Sequence, residues 1–296
     1  MEQPSLDDLV LRLRAAGCVF AEEEAALLVE RADGAAALES LVARRVAGEP
    51  LEHVLGYVDF HGLRVAVDPG VFVPRQRTAL LVDEAVALVR ERDARAAGAA
   101  TRDVSGEPFP RVVVVDLCCG AGALGLAVAT DLREPASDDD PAARHPDART
   151  RTVELHVADL DPAAVACARR NVAVVGGVAH AGDLFGPLPA GLRGRVDLLL
   201  ANVPYVPTGE IGMLPPEARD HEARLALDGG SDGLDVLRRV AAEAPAWLSP
   251  GGHLLTESGE RQAPGAVEAL ERAGLAARVV RDEEIGATIV VGTAHR

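Results

Sequence analysis

A chain of 296 residues with 48% hydrophobic content has room for one domain of about 200 residues plus a smaller one. Its formal net charge of −16 disfavours a nucleic-acid partner, which calls for a cationic track, whereas the arginines here are dispersed among acids. No basic, apolar leader opens the sequence and no apolar run approaches the roughly 20 residues of a membrane span, so a cytoplasmic protein away from membranes is expected.

From residue 5 to 47, apolar positions recur with helical spacing: Leu6, Leu9, Val10 and Leu13, then Leu27 and Leu28, then Leu38, Leu41 and Val42. This predicts three or so short helices forming a small N-terminal unit. Residues 54 to 67 alternate about His61-Gly62 as a β-hairpin does, and Thr78 to Arg92 reads as an amphipathic helix. The stretch Arg95 to Pro110 is polar and Gly/Ala-rich, and Ser137 to Arg151 carries Asp138, Asp139 and Asp140. Both read as surface loops; solvated loop acids explain that run better than a metal site does.

Between these loops, Val112-Val113-Val114-Val115-Asp116-Leu117 is a continuous β-branched run, followed by Cys118-Cys119-Gly120-Ala121-Gly122 and an Ala/Leu-rich segment. That is a buried parallel strand, a tight loop and a helix, the first unit of a doubly wound, Rossmann-like α/β domain. Gly120-x-Gly122-x-x-Gly125 also fits a dinucleotide fingerprint, which leaves an NAD-binding oxidoreductase as one alternative. Asp116 at the strand end argues instead for a carboxylate helping to hold the amino-acid end of S-adenosylmethionine. A second strand ends in Asp159, and Pro162 opens a helix running through Asn171. Asp159 is placed to accept both ribose hydroxyls of an adenosine, or else serves as a charge before a helix capped by Asp161. Asp183 precedes the next loop, where it could accept an adenine amino group while Leu184 packs on the ring; alone it is an ordinary turn aspartate.

Leu198-Leu199-Leu200-Ala201 then runs into Asn202-Val203-Pro204-Tyr205. A planar amide or amino nitrogen has a delocalised lone pair and attacks a methyl donor only when acceptors hold its N–H groups and aim it. An Asn side-chain oxygen and the next backbone carbonyl supply two such acceptors, because the proline favours an extended corner, and Tyr205 offers a flat wall. The plainer alternative is a strand ending in an Asn-x-Pro turn. The four cysteines, Cys18, Cys118, Cys119 and Cys167, show neither metal nor disulfide spacing, the histidines share no ligand pattern, and no metal site is expected.

With Asp116, Gly120 and Gly122, Asp159, Asp183 and the Asn202 corner at successive strand ends, the chain resembles the protein-(glutamine-N5) methyltransferase family, which modifies the Gly-Gly-Gln glutamine of peptide release factors. The likeness extends to Pro50 through Phe60, Phe72-Val73-Pro74-Arg75, Ala226 through Leu234, and Leu255 through Gly259. It implies a class I S-adenosylmethionine-dependent methyltransferase domain over 73–296, behind a helical recognition domain with a β-hairpin connector over 1–72. Implied at the cofactor are Asp116, Cys118, Cys119, Gly120, Ala121, Gly122, Asp159, Asp183, Leu184 and Asn202. Implied at the substrate are Phe72, Arg75, Thr78, Asn202, Val203, Pro204 and Tyr205, the last four also at the chemistry. The implied partner is a release factor, with no direct binding of nucleic acid.

The departures are local. Val203 stands in a proline slot and Cys118 in a glycine slot, and Ala79, Ala223 and Thr288 replace the usual acid, proline and arginine. The same corner also serves adenine-N6 methyltransferases, a reading the net charge disfavours. A silent S-adenosylmethionine-binding scaffold is the remaining alternative.

Overall fold

The computed structural model describes residues 5–99, 111–133 and 151–295. Four helices come first: α1 (Leu6–Ala15), α2 (Ala21–Arg31), α3 (Ala35–Val46) and the single turn α4 (Leu51–Leu55). Ser5 caps α1 by accepting the Asp8 N–H, and the apolar stripes of these helices close on a core of their own around Leu9, Leu13, Leu28, Leu38 and Val42. Within it, Arg45 and Glu24 form a buried ion pair at 2.6 Å.

Gly56 ends α4 in the left-handed conformation, and the hairpin follows as β1 (Tyr57–Phe60) and β2 (Leu63–Ala66). Residues 54 and 55 are therefore helix, and the hairpin is shorter than their alternation suggested. Its inward side chains, Val58, Phe60 and Val65, pack with Leu81 and Val86 in the core of the following domain. There α5 (Ala79–Ala99) runs past Arg92, through residues expected to be loop. The rest of that loop, residues 100–110, and the acidic run Asp138–Asp140 lie outside the described residues.

The sheet is built from β3 (Val112–Leu117), α6 (Ala123–Arg133), β4 (Val153–Asp159), α7 (Pro162–Val172), β5 (Val178–Ala181) and β6 (Val196–Ala201). Next come α8 (Pro216–His221), α9 (Arg224–Leu227), α10 (Asp235–Glu243), β7 (Leu248–Glu257), α11 (Ala263–Arg272), β8 (Ala276–Asp282) and β9 (Ala287–Thr293). The strand order is β5-β4-β3-β6-β7-β9-β8, parallel except for β9, which is antiparallel to both its neighbours. Apolar layers cover both faces: Val112 and Val114 point into one, Val113, Val115 and Leu117 into the other. That is why β3 reads as an unbroken apolar run rather than an alternating one. All the parallel strands thus point their carboxyl ends at one edge, where the loops after β3, β4, β5 and β6 converge.

Candidate active site

Those loops surround a cavity of ≈ 420 Å³. At one end, Gly120 (φ +53°) and Gly122 (φ +76°) turn the chain from β3 into α6. A Cβ on Gly122 would come 3.1 Å from Val172 and 3.2 Å from Ala168, tight contacts on a backbone already in the left-handed region, which together favour glycine here. Cys118 holds φ +55° in the same left-handed region, a conformation costing an L-residue about 1–2 kcal/mol. This is the position where the resemblance led us to expect glycine. Burial pushes the Cys118 and Cys119 thiols above their ordinary range, with the nearby aspartates adding to it, so both are protonated loop residues rather than nucleophiles.

Asp159 accepts the Gly120 N–H on Oδ2 and the Asp161 N–H on Oδ1, each at 2.9 Å. Burial raises its pKa while these bonds oppose the rise. Asp161 caps α7 through the Ala163 N–H, as the helix-cap reading expected, while Asp159 ties two loops at the cavity. Asp183, on the wall beside Leu184, pairs with Arg239 of α10. Asp116 is not on the wall. It is fully enclosed; Oδ2 accepts the Gly125 N–H at 2.9 Å and Oδ1 has no partner. Burial, with Asp159 adding, pushes its carboxyl up to about 7. Its visible task is to secure the first turn of α6. Cys119, Ala121 and Gly122 likewise shape the loop from behind the wall, which Cys118 and Gly120 reach.

At the other end, β6 delivers Asn202, Val203, Pro204 and Tyr205 to the wall. The Asn202 Oδ1 is buried and has no hydrogen-bond partner. Val203 turns its side chain into the core with Leu184 and Leu234. Behind the corner lies the glycine-rich loop 229–233: a Cβ on Gly229 would meet the Pro204 carbonyl at 2.6 Å, and one on Gly233 would overlap the Tyr205 carbonyl. Gln262 Nε2 donates to that same Tyr205 carbonyl at 2.8 Å.

Facing the corner is the segment before α5. Phe72 and Arg75 line the cavity, with the guanidinium 4.8 Å above the Phe72 ring. Arg75 Nη2 donates to both Glu222 oxygens, at 2.8 and 2.7 Å, and Glu222 also accepts the Val73 N–H. Burial raises the Glu222 pKa and Arg75 holds it back. Thr78 is not on the wall: its hydroxyl donates to Glu257 Oε2 at 2.5 Å. Glu257 Oε1 receives Arg77 Nε at 2.8 Å, and Arg77 Nη2 donates to the Tyr205 hydroxyl at 2.6 Å. Sequence reasoning missed Arg77, Glu222, Arg239, Glu257 and Gln262 as parts of this site. For Glu257 a signal was present, an acid closing a buried strand beside β6, as Asp159 closes β4.

A seven-stranded doubly wound sheet with one antiparallel insertion, a glycine loop and acids at one end of its strand-edge cavity, and an Asn-x-Pro-Tyr corner at the other, defines an S-adenosylmethionine-dependent methyltransferase. No family model matches the chain. The release factor glutamine methyltransferase of Geobacter sulfurreducens is 36% identical over 259 residues, covering 87% of this chain and 77% of that one. The enzyme of the same name from Mycolicibacterium smegmatis is 38% identical over 81% of this chain and 72% of its own. The chain belongs to the release factor glutamine methyltransferase family. A ribosomal protein L11 methylase from Lactobacillus delbrueckii subsp. bulgaricus superposes with a TM-score of 0.44 at 14% identity, over 75% of this chain and 80% of that one, too loosely to add to the assignment.

Proposed function

We propose that this protein transfers a methyl group from S-adenosylmethionine to the side-chain amide nitrogen, N5, of a glutamine in a protein, and that its substrate is the Gly-Gly-Gln segment of a peptide chain release factor. One observation carries the reading: Asn202 lines the cavity, and its side-chain oxygen Oδ1 is buried without a donor. Leaving such a group unpaired costs about 1–3 kcal/mol, which an incoming primary amide relieves. The Val203 carbonyl would take the second amide hydrogen, since a primary amide brings two. Both acceptors gain strength as positive charge develops on the attacking nitrogen, so they favour the transition state over the bound substrate.

The residues at the glycine-loop end suit the cofactor. Each Asp159 oxygen has taken one N–H and keeps a lone pair for a ribose hydroxyl. Asp183 would accept the adenine amino group, Leu184 would pack on the ring, and the bare backbone of Gly120 would lie against the amino-acid end, with Cys118 alongside. S-adenosylmethionine supplies the methyl group already activated on a sulfonium, so the protein's part is to align, dehydrate and hold. Phe72, Arg75, Pro204 and Tyr205 form the walls of the slot for the glutamine side chain, and Thr78 acts behind them through Glu257. The helical unit and hairpin, residues 1–72, recognise the protein, while 73–296 carries out transfer.

Among the described residues no helix is long and apolar enough to cross a membrane, and a release-factor substrate places the enzyme in the cytoplasm. The test is mass spectrometry after incubating intact release factor, or duplex DNA, with methyl-labelled S-adenosylmethionine. The label is expected on the glutamine of Gly-Gly-Gln; label on DNA adenine, or on neither, overturns the proposal.

A further inference from the structure

Three arginines line the cavity, and two have evident work there: Arg75 holds Glu222, and Arg239 holds Asp183. Arg77 is different. Its Nε and Nη2 are fixed by Glu257 and the Tyr205 hydroxyl, while its third nitrogen, Nη1, has no partner among the described residues. Glu257 is enclosed, its side chain only 4% exposed, yet Arg77 keeps 43% of its own side chain exposed and stands on the wall. Neutralising Glu257 needs no such exposure.

A guanidinium carries five N–H donors in a fixed plane and no acceptor, so two anchored nitrogens aim the third. The cavity that Arg77 lines is apolar over much of its wall, with Leu214, Pro215, Ala223 and Leu225 among its side chains. With 43% of the Arg77 side chain exposed, Nη1 is the donor left for an acceptor that the substrate brings in place of water. Arg77 touches the hydroxyl, the far end of the Tyr205 ring, so its donors lie a ring's length from the backbone of the corner. The oxygen of the reacting amide is a poor candidate, because a cationic donor there would draw electron density from the nitrogen that must attack. The main chain beside it is a good one, since every residue of an extended polypeptide offers a carbonyl.

Resting on the methyl-transfer reading above, we propose that Arg77 determines specificity for a polypeptide: Nη1 donates to a main-chain carbonyl of the residue next to the methylated glutamine. The guanidinium is aligned before the substrate arrives, so the bond costs little ordering. It forms on binding and is unchanged by methyl transfer, which makes it uniform binding, visible in KM rather than kcat.

The experiment measures steady-state methylation of intact release factor and of a synthetic Gly-Gly-Gln peptide. Arg77→Ala is expected to raise KM about tenfold for both, with kcat within about threefold of wild type and S-adenosylhomocysteine affinity unchanged. Since that substitution leaves Glu257 buried and unpaired, the double variant Arg77→Ala/Glu257→Gln is measured beside it; it should regain stability while KM stays high. Arg77→Lys, which keeps the charge but loses the fork, should recover KM only in part. An unchanged KM in the double variant overturns the proposal, as does a fall in kcat at constant KM, which would confine Arg77 to holding Tyr205. A wild-type enzyme that methylates no polypeptide would overturn the proposed function itself, and this inference with it.

Discussion

At the glycine-loop end of the cavity, carboxylates are held by main-chain N–H groups: Gly125 on Asp116, and Gly120 and Asp161 on Asp159. At the corner end, charged side chains hold one another across 147 residues from Arg75 to Glu222 and 180 from Arg77 to Glu257. The first end is fixed chiefly by main-chain donors, with an exposed ion pair, Asp183 to Arg239, beside them. The second exists only when distant segments have docked, and each of its pairs leaves a buried charge stranded if a partner is lost.

Asn202→Ala should separate the two ends most sharply. The corner's acceptor goes while the glycine loop is untouched, so kcat should fall about 10²–10³-fold, or ~3–4 kcal/mol. Calorimetric titration with S-adenosylhomocysteine should show affinity within about threefold of wild type. Wild-type kcat in this variant would mean the orphaned oxygen does not engage the amide.

Arg75→Ala probes how the corner end is held. It strands Glu222, whose side chain is 1% exposed, and should cost about 3 kcal/mol in urea-induced unfolding. A loss under about 1 kcal/mol would show the pair to be dispensable, as exposed pairs are.

Asp159→Ala tests the glycine-loop end in turn. Losing its acceptors should weaken S-adenosylhomocysteine by about 1–3 kcal/mol, with kcat at saturating cofactor little changed. Equal effects on both would erase the distinction between the ends.

The last effect concerns pH. With its carboxyl pushed up to about 7, Asp116 stays neutral in the fold where an unfolded aspartate, with a pKa near 4, is already charged. The unfolded state then binds fewer protons, so stability falls as pH rises from about 4 to about 7. Asp116→Asn removes that slope, and the variant should gain on wild type by about 2–3 kcal/mol of unfolding free energy between pH 5 and pH 8. Parallel profiles would mean the buried acid is already ionised.

The same contrast explains what could be read in advance. Val112–Leu117, the glycine loop, Asp159 and Asn202 are local signals, in which strand, turn and function share a few consecutive residues. Arg77 carries no such mark and Glu257 only that of an acid closing a strand, because their meaning depends on which segments the sheet brings together. Asp116 was legible as an acid at a strand end, yet only the fold shows that strand alternation turns it under α6 and away from the cavity. Thr78 was placed at the substrate for want of the one fact sequence could not supply, the position of Glu257 beside it. The extra turn α4 escaped because Val54 and Leu55 continue the hairpin's alternation, and five residues are too few for a helical period to declare itself.

The glycine loop behind the corner also bears on how such a motif changes over time. Gly229 and Gly233 press on the backbone of Pro204 and Tyr205 so closely that no side chain fits between, and together with Gln262 they cast the corner from behind. The corner's backbone is thus held from behind by a neighbouring segment, and the side chain at 203 packs in the core. A pattern written as two consecutive prolines would therefore pass over chains of this kind. One written on the corner together with its glycine mould, Asn-x-Pro-Tyr followed by Asp-Gly-Gly-x-x-Gly, follows the shape that the chemistry needs and tolerates the substitution.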